Sequence, residues 1–193
     1  MISFFIGCGV ALAAVWVVAR FVGFRRQKPQ DYSEGPPFDL RMCLNGKLMS
    51  EGVIFGPLGG VTSRFVAQMH GRWDDNNGIL RERFRYESGM VQDRRWHLKL
   101  GDDGRIFPQA DDIATSGHGR QCGNACQLKY RITLPQEVGG YQLDVVDWMY
   151  LLDNGTIMNR SQFRKFGFKV LELVAVIRPA TPDEIVTWES MDE

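Results

Sequence analysis

The sequence predicts an all-β protein, a closed antiparallel barrel of eight or nine strands that follows an N-terminal transmembrane helix. Three observations support this prediction. From Lys47 onward, apolar segments alternate at even spacing with turn signals rich in Gly, Asn and Asp, which is typical of a sheet that closes on itself. Residues 78–100 alternate between polar and apolar side chains, as strands with one solvated face do. The run Ile2–Ala19 contains no charged side chain.

This apolar run is long enough to cross a membrane. As a helix it would span about 27 Å, and continuation to Phe24 exceeds the roughly 30 Å of a hydrocarbon core. We therefore expect residues 1–26 to form an anchor that contacts the lipid bilayer through Ile2–Phe24; a buried N-terminal helix is the alternative. Basic residues follow it, so the positive-inside rule predicts a single-pass inner-membrane protein whose barrel lies in the cytoplasm rather than the periplasm. These residues are Arg20, Arg25, Arg26 and Lys28.

The remaining chain divides into three parts. Residues 27–37 are polar and rich in Pro and Gly, which predicts a juxtamembrane linker. Residues 38–180 are expected to form the barrel, with one helical turn at its start. Residues 181–193 form an acidic tail, and its first residues, Thr181-Pro182-Asp183-Glu184, are typical of a capped helix. The strands are expected near residues 48–55, 60–71, 78–87, 90–100, 105–113, 122–134, 141–152, 156–160 and 167–178.

Alternation also predicts how the hairpin of residues 78–100 pairs. Leu80, Glu82, Phe84 and Tyr86 share the apolar face of its first strand. Glu87-Ser88-Gly89 is typical of a three-residue hairpin loop with Gly89 in a left-handed conformation. This loop places Glu82 opposite Arg94 and Leu80 opposite Trp96, so that a carboxylate and a guanidinium face each other inside the barrel.

A second loop, Asp102-Asp103-Gly104, brings another carboxylate to Arg94. A three-residue loop sets Asp112 against Arg94, whereas a two-residue turn sets Asp111 there. Such a cluster is either a structural ion network or a headgroup site, in which Arg94 holds a ligand carboxylate beside an apolar channel. The candidate ligand-binding residues are Leu80, Glu82, Phe84, Arg94, Trp96, Asp112 and Asn124.

Two further strands are oriented less completely by the pattern. On the strand near Cys122, the even positions Asn124 to Tyr130 are expected to face the interior and the odd positions, Gln127 among them, to face water. Asn124 must then be hydrogen-bonded there, and Cys126 is expected to be a small buried side chain rather than a nucleophile. The strand near 145–152 is partly apolar on both faces. One face must be covered by a helix, a loop or lipid, and Asp147 and Arg160 could each lie inside or outside.

Composition argues against several functions. The formal net charge is zero, which argues against a nucleic-acid partner held through its phosphates. Four cysteines without a framework spacing are expected to be free thiols. Three scattered histidines predict no metal site. No cofactor is expected, because the sequence shows no phosphate-binding glycine loop, Rossmann fingerprint or nucleophile elbow.

Four segments in this order resemble a bacterial family of unknown function, DUF3833. They are EGVIFGPLGGVTSRFVAQMHGRW, RERFRYESGMVQDRRW, QCGNACQLKYRI and DVVDWMYLLDNGTIMNRSQFRKFG. The resemblance covers roughly residues 38–178. It implies a lipocalin-like barrel and attachment to a membrane, in some relatives as lipoproteins that face the periplasm. It implies no catalytic residues.

Three functions fit these expectations. The first is a membrane-tethered barrel that binds a lipid-like or other apolar small molecule. The second is a lipid-modifying enzyme of the hydratase or isomerase type, which needs an interior carboxylate with a raised pKa and no charge partner. The third is a non-catalytic assembly module with a filled barrel. The volume of the interior and the partners of its acids distinguish them.

Overall fold

The protein folds as a closed antiparallel barrel of ten strands in the order β1-β10-β9-β8-β7-β6-β5-β4-β3-β2. The computed structural model describes Gly7, Gly9, Val10, Gly23, Phe24 and residues 26–136 and 139–188. The strands are β1 Gly46–Phe55, β2 Val61–Asp74, β3 Asn77–Tyr86, β4 Val91–Leu100, β5 Arg105–Gln109, β6 Ile113–Cys122, β7 Ala125–Thr133, β8 Gln142–Leu151, β9 Ile157–Lys165 and β10 Phe168–Pro179. The predicted closed all-β architecture is confirmed.

The predicted count of eight or nine strands is wrong, because β6 has no apolar alternation. Its inward positions include Gly117 and Gly119, where side chains cannot fit. A Cβ on Gly119 would lie 2.4 Å from the Gln127 carbonyl oxygen, and one on Gly117 would lie 2.7 Å from Pro108 Cγ. Close approach of neighbouring strands therefore replaces side-chain packing here, and the usual strand signal is missing. The expected strand 105–113 correspondingly ends at Gln109.

The predicted pairing of the central hairpin is confirmed. Glu82 lies opposite Arg94 and Leu80 opposite Trp96, while Gly89 adopts a left-handed φ of 85°. The second loop also has three residues, because Leu100 pairs with Ile106. The interior side chains of β3 and β4 therefore point where the alternation places them.

A short helix closes one end of the barrel. The helix α1, Leu40–Cys43, is the helical turn expected at the start of the barrel. Leu40 and Leu44 are buried in the main core, and the Leu44 carbonyl accepts a hydrogen bond from Trp73 Nε1 at 3.0 Å. The backbone N–H of Leu40 donates to Gln121 Oε1 at 3.1 Å. The barrel thus has an apolar floor tied to its wall.

The segment of residues 26–37, which we call the strap, lies along the outside of β7 and β8. A 3₁₀ turn at Pro29–Tyr32 places the Tyr32 ring 5.5 Å from Trp148 and 5.2 Å from Tyr150. Gln27 Oε1 accepts hydrogen bonds from both tyrosine hydroxyls, at 2.8 and 2.7 Å. Trp148 is fully buried as a result. The sequence left the cover of this apolar face open, and the chain's own strap supplies it.

The outer position Gln127 was expected to face water, and this prediction is wrong. Only 6% of its surface is exposed. It pairs with Trp148 on β8, the residue on which Tyr32 of the strap packs. The inward positions Cys126, Leu128 and Tyr130 are buried as predicted.

The C-terminal part of the described chain also follows the sequence. The helix α2, Pro182–Val186, begins with a capping box between Thr181 and Glu184. Arg178 binds Glu184 at 2.8 Å and Glu51 at 2.7 Å, which joins this helix to the barrel wall.

Most of the expected anchor, residues 1–26, lies outside the described residues. Among those that are described, no helix combines the length and the apolar character needed to cross a membrane. Phe24 is buried against Trp148 and Ala125, and the Arg160 guanidinium lies 5.1 Å from its ring centre.

Candidate functional site

The barrel interior is mostly packed, but it contains a partly open cavity of about 100 Å³. Its floor is made by Leu40 of α1 and by Leu44, the residue that follows this helix. Most of its wall is aliphatic or aromatic. A group of polar side chains, contributed by β3, β4, β7, β8 and β9, interrupts this apolar lining. They are Glu82, Arg94, Tyr130, Asp147, Asn159 and Ser161.

Arg94 forms the ion pair that the sequence predicts with Asp112. Its Nε lies 2.8 Å from Oδ2, and Nη2 donates to Oδ1 at 3.0 Å. The guanidinium also lies 4.0 Å from the centre of the Trp96 ring. Burial opposes the charge of Arg94, but the acidic groups around it, Tyr130, Glu82 and Asp112, raise its pKa. Arg94 is therefore held in place by its own chain.

Glu82 lies opposite Arg94 without a direct ion pair to it among the contacts of the described residues. Its Oε2 accepts a hydrogen bond from Trp96 Nε1 at 3.1 Å, and only 7% of its surface is exposed. Burial raises its pKa to about 7, against the opposing effect of the Arg94 charge. The expectation of one arginine paired with two acids holds only for Asp112.

Asp147 is a second interior acid. Its Oδ1 accepts hydrogen bonds from Asn159 Nδ2 and Ser161 Oγ, each at 2.6 Å. Burial raises its pKa despite these two donors. Arg160, whose orientation the sequence also left open, points outward and binds Glu172 at 2.6 Å. The carboxylate therefore faces the cavity with neutral partners.

A surface groove of about 530 Å³ borders the same cluster. The pairing between β4 and β5 runs from His97 opposite Gln109 to Leu100 opposite Ile106. The part of β4 before His97 therefore pairs with β3 alone in the described sheet. Glu82 and Arg94 line both the groove and the interior cavity. The Arg94–Asp112 pair therefore stands between the interior and solvent.

The structure brings most of the predicted site residues together. Leu80, Glu82, Phe84, Arg94 and Trp96 line the cavity, and Asp112 reaches it through Arg94. Asn124 does not, and the prediction that it points inward is wrong. It stands in the turn before β7, where its amide lies against Gly35 of the strap and its backbone bonds Tyr32 and Leu151.

Sequence reasoning missed part of the cluster. Tyr130 was placed inside but given no role, whereas Asn159 and Ser161 were not considered as interior residues. The signal for Asn159 and Ser161 is weak, because β9 carries polar residues on both faces (IMNRSQFRK). No group of metal-ligating side chains occurs among the described residues. The described cysteines, Cys43, Cys122 and Cys126, are free thiols, as expected.

These features define a small closed β-barrel with a charged site in its apolar interior. The chain belongs to the family described as "Protein of unknown function (DUF3833)", whose model matches residues 18–179. The resemblance noted in the sequence is thereby confirmed. A comparison with curated proteins gives no match.

Proposed function

We propose that this protein is a membrane-tethered barrel that binds a small amphipathic molecule in its interior. The observation that carries the proposal is the convergence of Glu82, Arg94 and Asp147 in one otherwise apolar cavity. Cavities with apolar walls and a few convergent polar groups are the usual form of a small-molecule site. The apolar body of the ligand would contact side chains such as Leu80 and Met149, and its polar end would meet the cluster.

The size of the cavity limits the ligand. Pockets for drug-sized ligands usually measure about 300–1,000 Å³, and a cavity of about 150 Å³ holds benzene. A cavity of about 100 Å³ therefore accommodates a molecule of about four non-hydrogen atoms. A lipid-like ligand would fit only in part, with the remainder in the groove beside Arg94.

An enzyme is the second candidate, and a specific observation favours it. General acid–base catalysis needs a carboxyl group that exchanges a proton near neutral pH. Glu82 has a pKa of about 7, and its hydrogen-bond partner is the neutral Trp96 indole. Asp147 likewise borders the cavity with neutral donors. A substrate in the cavity would therefore lie beside two acids that no direct ion pair holds in the charged form.

The tether is proposed from the sequence. Ile2–Ala19 has the length and apolar character of a membrane helix, and the basic residues after it favour the cytoplasmic side of the inner membrane. This proposal predicts that the protein sediments with membranes and resists extraction by high salt. Release by salt alone would contradict it.

Mass spectrometry of small molecules that co-purify with the detergent-extracted chain tests the binding proposal. The matched variants are Ser50→Leu, which enlarges a buried cavity-lining side chain, and Ser116→Leu, which enlarges an exposed one on β6. We expect a compound that is enriched with the wild type and with Ser116→Leu but lost with Ser50→Leu. Equal recovery from all three proteins would refute an interior site.

The same compound separates binding from catalysis. Recovery in unchanged form after incubation with the wild type would support a binding protein. Conversion by the wild type that Glu82→Gln abolishes would establish the enzyme instead.

A further inference from the structure

The charges that line the cavity do not balance. Its ionisable side chains are Glu82, Arg94 and Asp147, with the weak acid Tyr130 beside them. Arg94 already has a counter-charge, because Asp112 lies 2.8 Å from its Nε. Neither Glu82 nor Asp147 has a cation within ion-pair distance among the described residues. The cavity therefore contains two carboxyl groups that, once ionised, have no direct ion-pair partner in the described part of the chain.

Each of these carboxyl groups also has spare hydrogen-bonding capacity. One oxygen of Glu82 accepts from Trp96 Nε1, and one oxygen of Asp147 accepts from Asn159 and Ser161. The second oxygen of each makes no hydrogen bond within the described part of the chain. A carboxylate can accept about four hydrogen bonds, so both present free acceptors beside the cavity.

An anionic ligand head would fit this site poorly. It would have to compete with Asp112 for Arg94, whose guanidinium is also packed on the Trp96 ring at 4.0 Å. It would also lie beside two further carboxyl groups, and like charges in a poorly solvated site repel strongly. The sequence hypothesis that Arg94 holds a ligand carboxylate is therefore disfavoured by the arrangement of its neighbours.

We infer that the ligand of this cavity is a small organic cation, an alkylammonium group whose N–H donors bind Glu82 and Asp147 while its short apolar chain contacts the aliphatic wall. This inference rests on the proposed function and specifies the chemistry of its ligand. An ammonium group offers three donors and one positive charge. It would therefore supply both the hydrogen-bond donors and the counter-charge that the two carboxyl groups lack. Hydrogen bonds between charged partners are also the strong ones.

Three probes of nearly equal size test this inference on the full-length chain in detergent. They are n-propylammonium, 1-propanol and propionate. Trp96 Nε1–H donates directly to Glu82, so the NMR signal of that indole reports on the site; a Trp96→Phe variant assigns it. We expect n-propylammonium to shift this signal saturably, with an affinity at least about tenfold higher than that of either other probe.

Two variants and a control connect the shift to the named carboxyl groups. Glu82→Gln and Asp147→Asn keep size and shape, and each should weaken n-propylammonium binding by at least about tenfold. Asp144→Asn, on the outer face of the same strand as Asp147, should leave it unchanged. If either interior variant fails to fold, the ranking of the three probes on the wild type still decides.

The outcomes separate the two proposals. Equal binding of 1-propanol, or tighter binding of propionate, would overturn the cation and leave an interior binding site intact. If none of the three probes shifts the signal, the cation inference fails, and recovery of a cavity-dependent compound by mass spectrometry then shows whether the binding proposal survives.

Discussion

The pH dependence of stability gives the sharpest test of the interior site, through the variant Glu82→Gln. Burial raises the pKa of Glu82 from its ordinary value of 4.5 to about 7. In the unfolded chain this group loses its proton near pH 4.5, whereas in the folded barrel it keeps the proton until about pH 7. The folded state thus binds more protons in that window, and stability falls as the pH rises through it.

The size of the effect follows from the shift. Each pKa unit corresponds to 1.36 kcal/mol, so the wild type should lose about 3 kcal/mol of unfolding free energy between the two pKa values, and little more above them. Glutamine carries no titrating proton but can still accept from Trp96, so the Glu82→Gln variant should not show this loss. Any contribution from Asp147 is present in both proteins.

Urea unfolding of the full-length chain in detergent, from about pH 5 to about pH 8, measures the difference. The variant should gain about 2–3 kcal/mol relative to the wild type across this range. Glu87→Gln, which alters an exposed partner of Arg64, is the matched control and should follow the wild-type curve. Parallel curves for the wild type and Glu82→Gln would refute the placement of a poorly solvated carboxyl group at this position.

Three further changes test the parts of the structure that support the site. Arg94→Leu should lower the unfolding free energy by about 3 kcal/mol, because it leaves the Asp112 carboxylate partly buried and unpaired; urea unfolding measures this. Gly119→Ala should cost at least about 2 kcal/mol by the same assay, because its Cβ would lie 2.4 Å from a backbone oxygen. Tyr32→Ala removes two aromatic contacts of the strap and should speed tryptic cleavage after Arg26 roughly tenfold.

Each of these changes has a control of the same residue type. Arg131→Leu breaks an exposed ion pair with Asp144 and should cost less than about 1 kcal/mol. Gly60→Ala meets no atom within 4 Å and should leave the unfolding free energy unchanged. Tyr141→Ala alters a tyrosine that is 51% exposed and should not affect cleavage of the strap. Effects as large as those of the interior variants would contradict the assigned packing.

The central hairpin could be predicted from sequence because two local rules agree there. Strict alternation fixes the face of Leu80 and Glu82, and Gly89 fixes the loop that aligns them with β4. A shift of one residue would turn every side chain to the other face, so the register leaves little freedom. The Arg94–Asp112 pair followed from the same rules at the next loop.

The rest of the site depends on contacts that local patterns do not encode. The orientation of Asp147 could not be predicted because β8 is apolar on both faces. The outer face of β8 can carry the apolar Trp148 because Tyr32, which is distant in sequence, covers it. Glu82 was expected to pair with Arg94, yet its observed partner is the Trp96 indole on the same neighbouring strand. Asn124 was assigned to β7, but that strand begins at the next residue, Ala125.

The strap has a consequence for how the protein would sit on a bilayer. From Gln27 to Tyr32 the chain is fastened to the wall of β7 and β8, and Phe24 is fastened there too. If the residues before Phe24 cross the membrane, as we propose, almost no slack separates the bilayer from the barrel. The barrel would then be unable to reorient freely relative to the bilayer, and the same side of it would always face the lipid.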